Sequence, residues 1–341
     1  MSWTISGHSK KAVMRAGDVL VDPGTDIDMR WEALDILSDW RAAHAYPMHA
    51  LLIFLRQKAV KIDGAAVVVQ RLKRTPSILN KLSRFCEMKL HRMQDIGGCR
   101  AVVGNARHVY ELTELIKKSN TKHELHRIYD YVENPKSSGY RGVHLVFKYG
   151  GAKAAFNGYL VELQLRSKVQ HSWATAVEVV DFFTKQALKA SQGQDEWLRF
   201  FQCAGTEFSK LEHRPIRADM YGIDTASELV SLTKSLNVIH CLNAFAVSTD
   251  IVTKNSSSKT DYFLLELASD VQTISITQFR STELTKATKL YLDREKTANG
   301  SHDVVLVAAG SMHALKAAYP NYFADTGEFI RNLHKVLDRQ G

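Results

Sequence analysis

The hexapeptide Val161-Glu162-Leu163-Gln164-Leu165-Arg166 alternates apolar and polar side chains at every position. Successive side chains of a β-strand point to opposite faces, so Val161, Leu163 and Leu165 belong to a core and Glu162, Gln164 and Arg166 to the other face. That other face is either plainly solvated, the commoner origin of such alternation, or it carries chemistry. Flanking segments that supply further cations, a second acid and an aromatic favour chemistry.

The chain has 341 residues, 45% hydrophobic and 24% charged, enough for two compact units with their own cores. Its charge is uneven. Residues 1–190 hold 29 basic and 18 acidic side chains, and the remainder hold 16 and 18, so the basic excess lies entirely in the N-terminal half. Such asymmetry points to an anionic ligand there, nucleotide or nucleic acid. The four cysteines, Cys86, Cys99, Cys203 and Cys241, show no Cys-x-x-Cys spacing and no pattern with histidine. This argues against a zinc site or disulfide framework and fits a reducing cytosol. The opening Met1-Ser2-Trp3-Thr4 has no apolar signal core, and no apolar run is long enough to span a bilayer. The expectation is a cytoplasmic protein with no membrane partner.

After a polar leader, periodicity predicts helices over 28–44, with Trp31, Leu34, Ile36, Leu37 and Trp40 on the apolar side, and over about 47–61, with Pro47 in a first turn. Residues 65–70 read as a buried strand leading into Arg71-Leu72-Lys73-Arg74. Thr75-Pro76-Ser77 starts a helix to about residue 90, threonine as its cap, with Ile78, Leu82 and Phe85 facing a core and Ser77, Lys81 and Arg84 on another stripe. Asp95 to Val103 reads as a turn entering a buried strand, where Gly97-Gly98 permits a bulge that brings Asp95 and Arg100 into one cleft. A helix over 106–119, an extended stretch near 130–132, a loop at Pro135 to Tyr140 and a strand over 143–149 follow. A helix over about 168–188 turns Val169, Trp173, Ala176, Val180 and Phe183 inward and sets His171, Thr175 and Glu178 on a separate stripe. Residues 191–236 read as a helical connector. Beyond them, strands over 238–252 and 262–279 are joined through a polar turn at 254–259. A helix over 282–297 ends at Asn299-Gly300, a strand covers 304–308, and two short helices divided near Tyr319-Pro320 complete a smaller α/β unit.

Asp95 and Glu162, among Arg71, Lys73, Lys81, Arg100, Lys136 and Arg166, form an odd group for a structural core. Burying so many like charges unpaired costs several kcal/mol each, so they call for anions or an open cleft. Phosphates supply the anions: arginines grip phosphoryl oxygens in pairs and lysines act as point charges. Magnesium suits the two acids, because it is usually held by one or two carboxylates plus substrate phosphates. The sequence contains no Gly-x4-Gly-Lys-Ser/Thr loop, so side chains rather than a P-loop must hold the phosphates.

Four segments in order, Arg71-x-Lys73-x3-Ser77-Ile78-x2-Lys81, Asp95-Ile96-x-Gly98-x-Arg100, Pro135-Lys136-x2-Gly139-Tyr140-x3-His144 and Glu162-x-Gln164-x-Arg166, resemble the synthetase domain of the RelA/SpoT family of alarmone synthetases. The resemblance runs over about residues 65–180. It implies an α/β (α+β) fold with a nucleotidyltransferase-like mixed sheet flanked by helices, within residues 1–190, followed by the connector and a smaller C-terminal α/β domain over 237–341. It also implies transfer of the β,γ-pyrophosphate of ATP to the 3′-hydroxyl of GDP or GTP, giving (p)ppGpp and AMP. Carried over, Asp95 would hold magnesium, Glu162 would share the metal or take the ribose proton, or do both at different stages, and Arg100 would join them as catalytic. Arg71, Lys73, Ser77, Lys81 and Arg100 would form the ATP side. Lys136, Tyr140 and His144 would form the acceptor side, Tyr140 stacking on the base, with Gln164, Arg166 and His171 completing the wall.

The sequence departs from the family where Gly142 replaces a common serine, and where the helix after Glu162 matches only loosely. Acceptor identity therefore stays open. No His plus His-Asp arrangement of a hydrolase half precedes the synthetase region, and no ribosome-associated regulatory module is evident, so the resemblance is to a small synthetase-only member. Two alternatives stand beside (p)ppGpp synthesis. One is a toxin-like relative that pyrophosphorylates the 3′ end of tRNA or makes an adenosine alarmone, restrained or triggered through the C-terminal unit by a partner such as a phage protein. The other is an inactive nucleotide- or RNA-binding module. Small family members often form homo-oligomers, and no interface for one is legible here.

Overall fold

Ser9 accepts a hydrogen bond from the Ala12 N–H and so caps the first helix, α1 (Lys10–Val21), where the sequence suggested only a polar leader. Val13, Ala16, Gly17 and Leu20 recur at helical spacing on its buried side. Helix α2 (Ile27–Ala43) and helix α3 (Ala45–Ile62) meet at His44, with Pro47 in the first turn of α3. Leu37 and Trp40 bury on α2 together with Ala33, but Trp31, expected among them, is exposed. The computed structural model describes residues 3–184, 195–247, 250–254, 262–268, 273–297, 302–308, 315–316 and 325–339.

The protein is a mixed α+β structure. Strands β1 (Val67–Leu72), β2 (Gly97–Val103), β3 (Glu124–Asp130), β4 (Val143–Lys148), β5 (Leu160–Ser167), β6 (Asp250–Lys254), β7 (Tyr262–Ala268), β8 (Thr273–Phe279) and β9 (His302–Ala308) form one sheet in the order β3-β4-β5-β2-β1-β9-β7-β8-β6. The alternation of Val161, Leu163 and Leu165 buries all three completely. Their face of the sheet packs on α3 and on α5 (Ala106–Lys117) through Leu51, Leu55, Val109 and Leu112. Each such side chain contributes about 1.5–3 kcal/mol when withdrawn from water.

On the other side lie α6 (Lys168–Thr184) and α7 (Asp195–Leu211), followed by α8 (Thr225–Ser235) and α9 (Val238–Val247). Residues 191–236 are therefore not a simple connector: Trp197, Phe200, Phe201 and Phe208 of α7 lie in a core with Trp173 and Val180. The expected strand from residue 238 is instead α9. Its ten residues, apolar except for His240 and Asn243, fit a buried strand or a helix equally by composition, and Val238 and Leu242, one turn apart, bury against that core.

Helix α4 (Thr75–Arg84) stops short of residue 90, so Phe85 is exposed rather than packed. The extended stretch near 130–132 is the end of β3, which starts at Glu124. Helix α10 (Leu284–Thr297) and helix α11 (Gly327–Leu337) belong to the C-terminal third. Strand β9 pairs antiparallel with β1 through Gln70 to Ala308 and Arg71 to Val307, so the C-terminal strands extend the first sheet. The side chain of Phe183, expected inward, is not described, and the turn at 255–259, the stop at Asn299-Gly300 and the break at Tyr319-Pro320 lie outside the described residues.

Candidate active site

Register alone gathers the polar side chains. Strands β2 and β5 run parallel with Gly98 beside Glu162, Arg100 beside Gln164 and Val102 beside Arg166. On the outer flanks, Arg71 of β1 lies opposite Gly98, and His144 of β4 lies opposite Gln164. Because the side-chain period of a strand is two, Arg71, Arg100, Glu162, Gln164, Arg166 and His144 share one face. Pairing of β2 is continuous on both sides, so no bulge is needed. Asp95 instead stands in the turn just before the strand.

The Lys73 ammonium reaches Asp95 Oδ2 at 2.9 Å, and that of Lys81, from α4, reaches Oδ1 at 3.0 Å. Burial opposes ionisation of Asp95, but the two lysines outweigh it and hold the carboxyl below its usual range. Glu162 adds repulsion, which places the two acids within each other's field. Glu162 accepts from His144 Nδ1 at 2.9 Å and from Gln164 Nε2 at 2.7 Å. Burial would raise its pKa, yet the charge and hydrogen bond of His144 keep it at about 2.

His144 in turn is held at about 9. Burial works against its charge, and Tyr140 and Glu162 more than compensate. Its Nε2 lies 2.6 Å from the Tyr140 hydroxyl, which also accepts from Arg166 Nη2 at 3.1 Å. Burial would lift the Tyr140 phenol, but Arg166 and His144 pull it down to about 7. His144 is thus an imidazolium donating from both nitrogens, one to a carboxylate and one to a phenol oxygen. Arg100 Nε and Arg166 Nη2 both point to Gln164 Oε1, at 3.4 and 3.3 Å. Gln164 ties the two halves together.

Two cavities open on this face. The first is lined by Arg71, Lys73, Asp95, Gly98, Cys99, Arg100, Glu162 and Gln164, a cationic chamber with two carboxylates. In the second, Lys136, Ser138, Tyr140, His144, Gln164 and Arg166 meet Trp173, Ala174, Val177 and Glu178 of α6 and Leu198 and Phe201 of α7. Gln164 lines both. Lys81 enters the first site through its bond to Asp95. Ser77 and His171 are not among the residues lining either chamber: Ser77 is half-buried on the first turn of α4 and His171 is buried on α6. The sequence reading missed Trp173 as a wall residue, assigning it only to the core, and missed Leu198 and Phe201 with their helix. It also missed Tyr131, whose ring takes the Lys136 ammonium 4.2 Å from its centroid and meets His144 edge-on.

Among the described residues, no three His, Cys, Asp or Glu side chains converge as a metal cage. Asp95 and Glu162 facing one chamber are the donor set that a magnesium ion takes when phosphates complete its shell, so the residues present fit that ion.

Residues 70–181 match the family model described as the region found in RelA/SpoT proteins. The chain carries a RelA/SpoT domain. Among curated relatives, it is 29% identical over 111 residues to the GTP pyrophosphokinase YwaC of Bacillus subtilis, covering 31% of this chain and 52% of that protein. It is 27% identical over 200 residues to a guanosine-3′,5′-bis(diphosphate) 3′-pyrophosphohydrolase of Vibrio cholerae, covering 54% of this chain and 27% of that one. The matches thus span about half the length of the first relative and about a quarter of the second. Among solved structures, the small alarmone synthetase 1 of Bacillus subtilis bound to its product pppGpp aligns over 54% of this chain and 93% of its own, at 23% identity and a TM-score of 0.44. The RelA/SpoT region holds β2, β4, β5 and most of α6, and with them every lining residue of the first chamber. Leu198 and Phe201, which close the second chamber, lie outside it. No helix among the described residues is long and apolar enough to cross a membrane.

Proposed function

We propose that the protein is an ATP-dependent pyrophosphokinase that transfers the β,γ-pyrophosphate of ATP to the 3′-hydroxyl of GDP or GTP. The observation that carries this reading is the pair of chambers meeting at Gln164, one cationic with two carboxylates and the other aromatic with a basic rim. The first suits a triphosphate and the second a nucleoside base, so a hydroxyl at their junction faces the phosphorus it attacks.

Arg71, Lys73, Lys81 and Arg100 would hold the triphosphate, and Tyr140, Lys136 and Trp173 the acceptor base and phosphates. Asp95 and Glu162 would hold magnesium, which when bound neutralises charge on the phosphoryl oxygens. The acceptor oxygen forms a bond to the β-phosphorus as the bond from that phosphorus to the α,β-bridging oxygen breaks, and AMP leaves with the electron pair. The hydroxyl proton passes to the Glu162 carboxylate, which His144 and Gln164 hold in place and ionised. Positioning and fixed charge carry most of the rate in such transfers.

The test incubates purified protein with magnesium and ATP labelled in the transferred group, offering GDP, GTP, AMP, ATP or tRNA in turn. Label is expected in the guanosine nucleotides. Label in an adenosine nucleotide or tRNA instead would reassign the acceptor, and no transfer to any of them would refute the enzyme. Glu162→Gln should lower the rate by roughly 10²–10⁴-fold, the usual worth of a positioned base, while substrate binding persists.

A further inference from the structure

The first N–H of α4 is capped by a residue 220 positions away. The helix begins at Thr75, and neither Arg74 nor Thr75 provides a side-chain cap; the Thr75 N–H donates to Glu295 Oε1 of α10 at 3.0 Å. Glu295 also accepts from Arg41 Nη1 through Oε2 at 2.5 Å and from the Tyr291 hydroxyl at 3.1 Å. Arg41, on α2, is 1% exposed. Its Nε donates to the Lys73 carbonyl at 3.0 Å, its Nη1 to Thr75 Oγ1 at 2.8 Å, and its Nη2 to Tyr291.

These bonds converge on Lys73 and Thr75, where β1 hands over to α4. On one side of that junction Lys73 reaches Asp95, and on the other α4 delivers Lys81 to the same carboxylate. A carboxylate at a helix N-terminus is favoured by the helix dipole, and a buried guanidinium is tolerated only when its donors are satisfied. Here the groups that satisfy it include the Lys73 carbonyl and the Thr75 hydroxyl, both in the segment that carries the cations of the first chamber. A staple for stability alone would be equally served by apolar packing, which often replaces a buried ion pair at no loss.

We infer that Glu295, acting through Arg41 and the Thr75 N–H, is a positioning residue for the ATP side, so that α10 completes the triphosphate chamber from outside the RelA/SpoT region. This rests on the nucleotide reading above. The geometry assigns α10 a part in aligning Lys73 and Lys81 on Asp95, although none of its residues lines the chamber.

The experiment uses the full chain with Glu295→Ala and Glu295→Gln, the latter keeping an acceptor for the Thr75 N–H while removing the charge that faces Arg41. Two readouts are taken: affinity for a non-hydrolysable ATP analogue and for GDP, and hydrogen exchange of the amides of Thr75 and Ser77–Leu79. Glu295→Ala should weaken the ATP analogue at least 10-fold, leave GDP within about twofold, and speed exchange in the first turn of α4 selectively. Glu295→Gln should restore part of both. Unchanged exchange at Thr75 would overturn the proposal, and so would equal loss of both ligands or faster exchange throughout the sheet, since those mark a merely structural role. Should Glu295→Ala fail to fold, Glu295→Gln and Tyr291→Phe carry the same comparison. If the wild-type chain binds no ATP analogue, the nucleotide reading falls, and exchange at α4 alone decides whether Glu295 fixes the segment.

Discussion

His44, at the bend between α2 and α3, is 1% exposed and packs edge-on against the stacked rings of Trp40 and Tyr159, at 5.1 and 4.9 Å. Its Nδ1–H donates to the Trp40 carbonyl at 2.8 Å. Burial outweighs that bond and, with Arg41 adjacent, lowers the imidazole from 6.5 to about 4. A depressed folded pKa means the unfolded chain takes up a proton that the folded chain refuses. Stability is then whole above pH 6.5 and is lost as pH falls through about 4, on the order of 3 kcal/mol at 1.36 kcal/mol per unit. Thermal melts of the wild type and His44→Gln should show a stability difference that shrinks by this amount between those limits; a difference independent of pH would refute the assignment. Gly98 offers a second single-residue test. It stands between Arg71 and Glu162 in the register, and a Cβ there meets only backbone oxygens at 3.8 and 3.9 Å, ordinary contact. Gly98→Val should fold normally, β-branched residues suiting strands, while filling the first chamber and weakening ATP at least 10-fold by calorimetry. At this scale the sequence is most legible. Asp95, Glu162 and their cations stand out because charges gathered around buried strands demand a reason. Tyr131 and Trp173 do not, since a wall aromatic and a core aromatic look alike in sequence.

Elements with a strict period of two were readable, and those with mixed apolar runs were not. Strand β5 declares itself within six residues, whereas α9 and a buried strand share one composition. Helix α7 carried a usable signal in Trp197, Phe200, Phe201, Ala204 and Phe208, all at helical spacing, but its charged ends suggested a linker. Its position has a consequence for the acceptor chamber. Gly205 packs on the loop that carries Lys136 and Tyr140, where Gly139 has φ +90°, and a Cβ at Gly205 would stand 2.5 Å from the Gly139 carbonyl oxygen. Alanine would gain about 1 kcal/mol of helix propensity. Overpacking against backbone costs about 1–3 kcal/mol and cannot be relieved by a rotamer change, so it prevails. Gly205→Ala should therefore displace the loop, lowering the melting temperature by a few degrees and raising the KM for the acceptor more than that for ATP. An equal rise in both KM values would remove α7 from the acceptor site.

The whole molecule is joined at contacts that no local pattern announces, Arg41 and Glu295 being 254 residues apart. The toxin-like alternative implies a C-terminal unit whose removal releases activity, but two joins oppose that outcome. Strand β9 covers the edge of β1, and Phe329, Leu333 and Val336 of α11 fill the core beneath α6 and α7. Truncation after residue 236 would expose the β1 edge, a template for aggregation, and empty a cavity the size of several large side chains. Losing Phe329 alone costs about 3–5 kcal/mol, a large share of the roughly 5–15 kcal/mol that holds a typical domain folded. The truncated chain should be insoluble or lack a cooperative melt, and transfer activity should vanish rather than rise. A soluble fragment ending at residue 236 with wild-type or greater activity would show that the C-terminal third restrains the enzyme and would remove α10 from the triphosphate chamber.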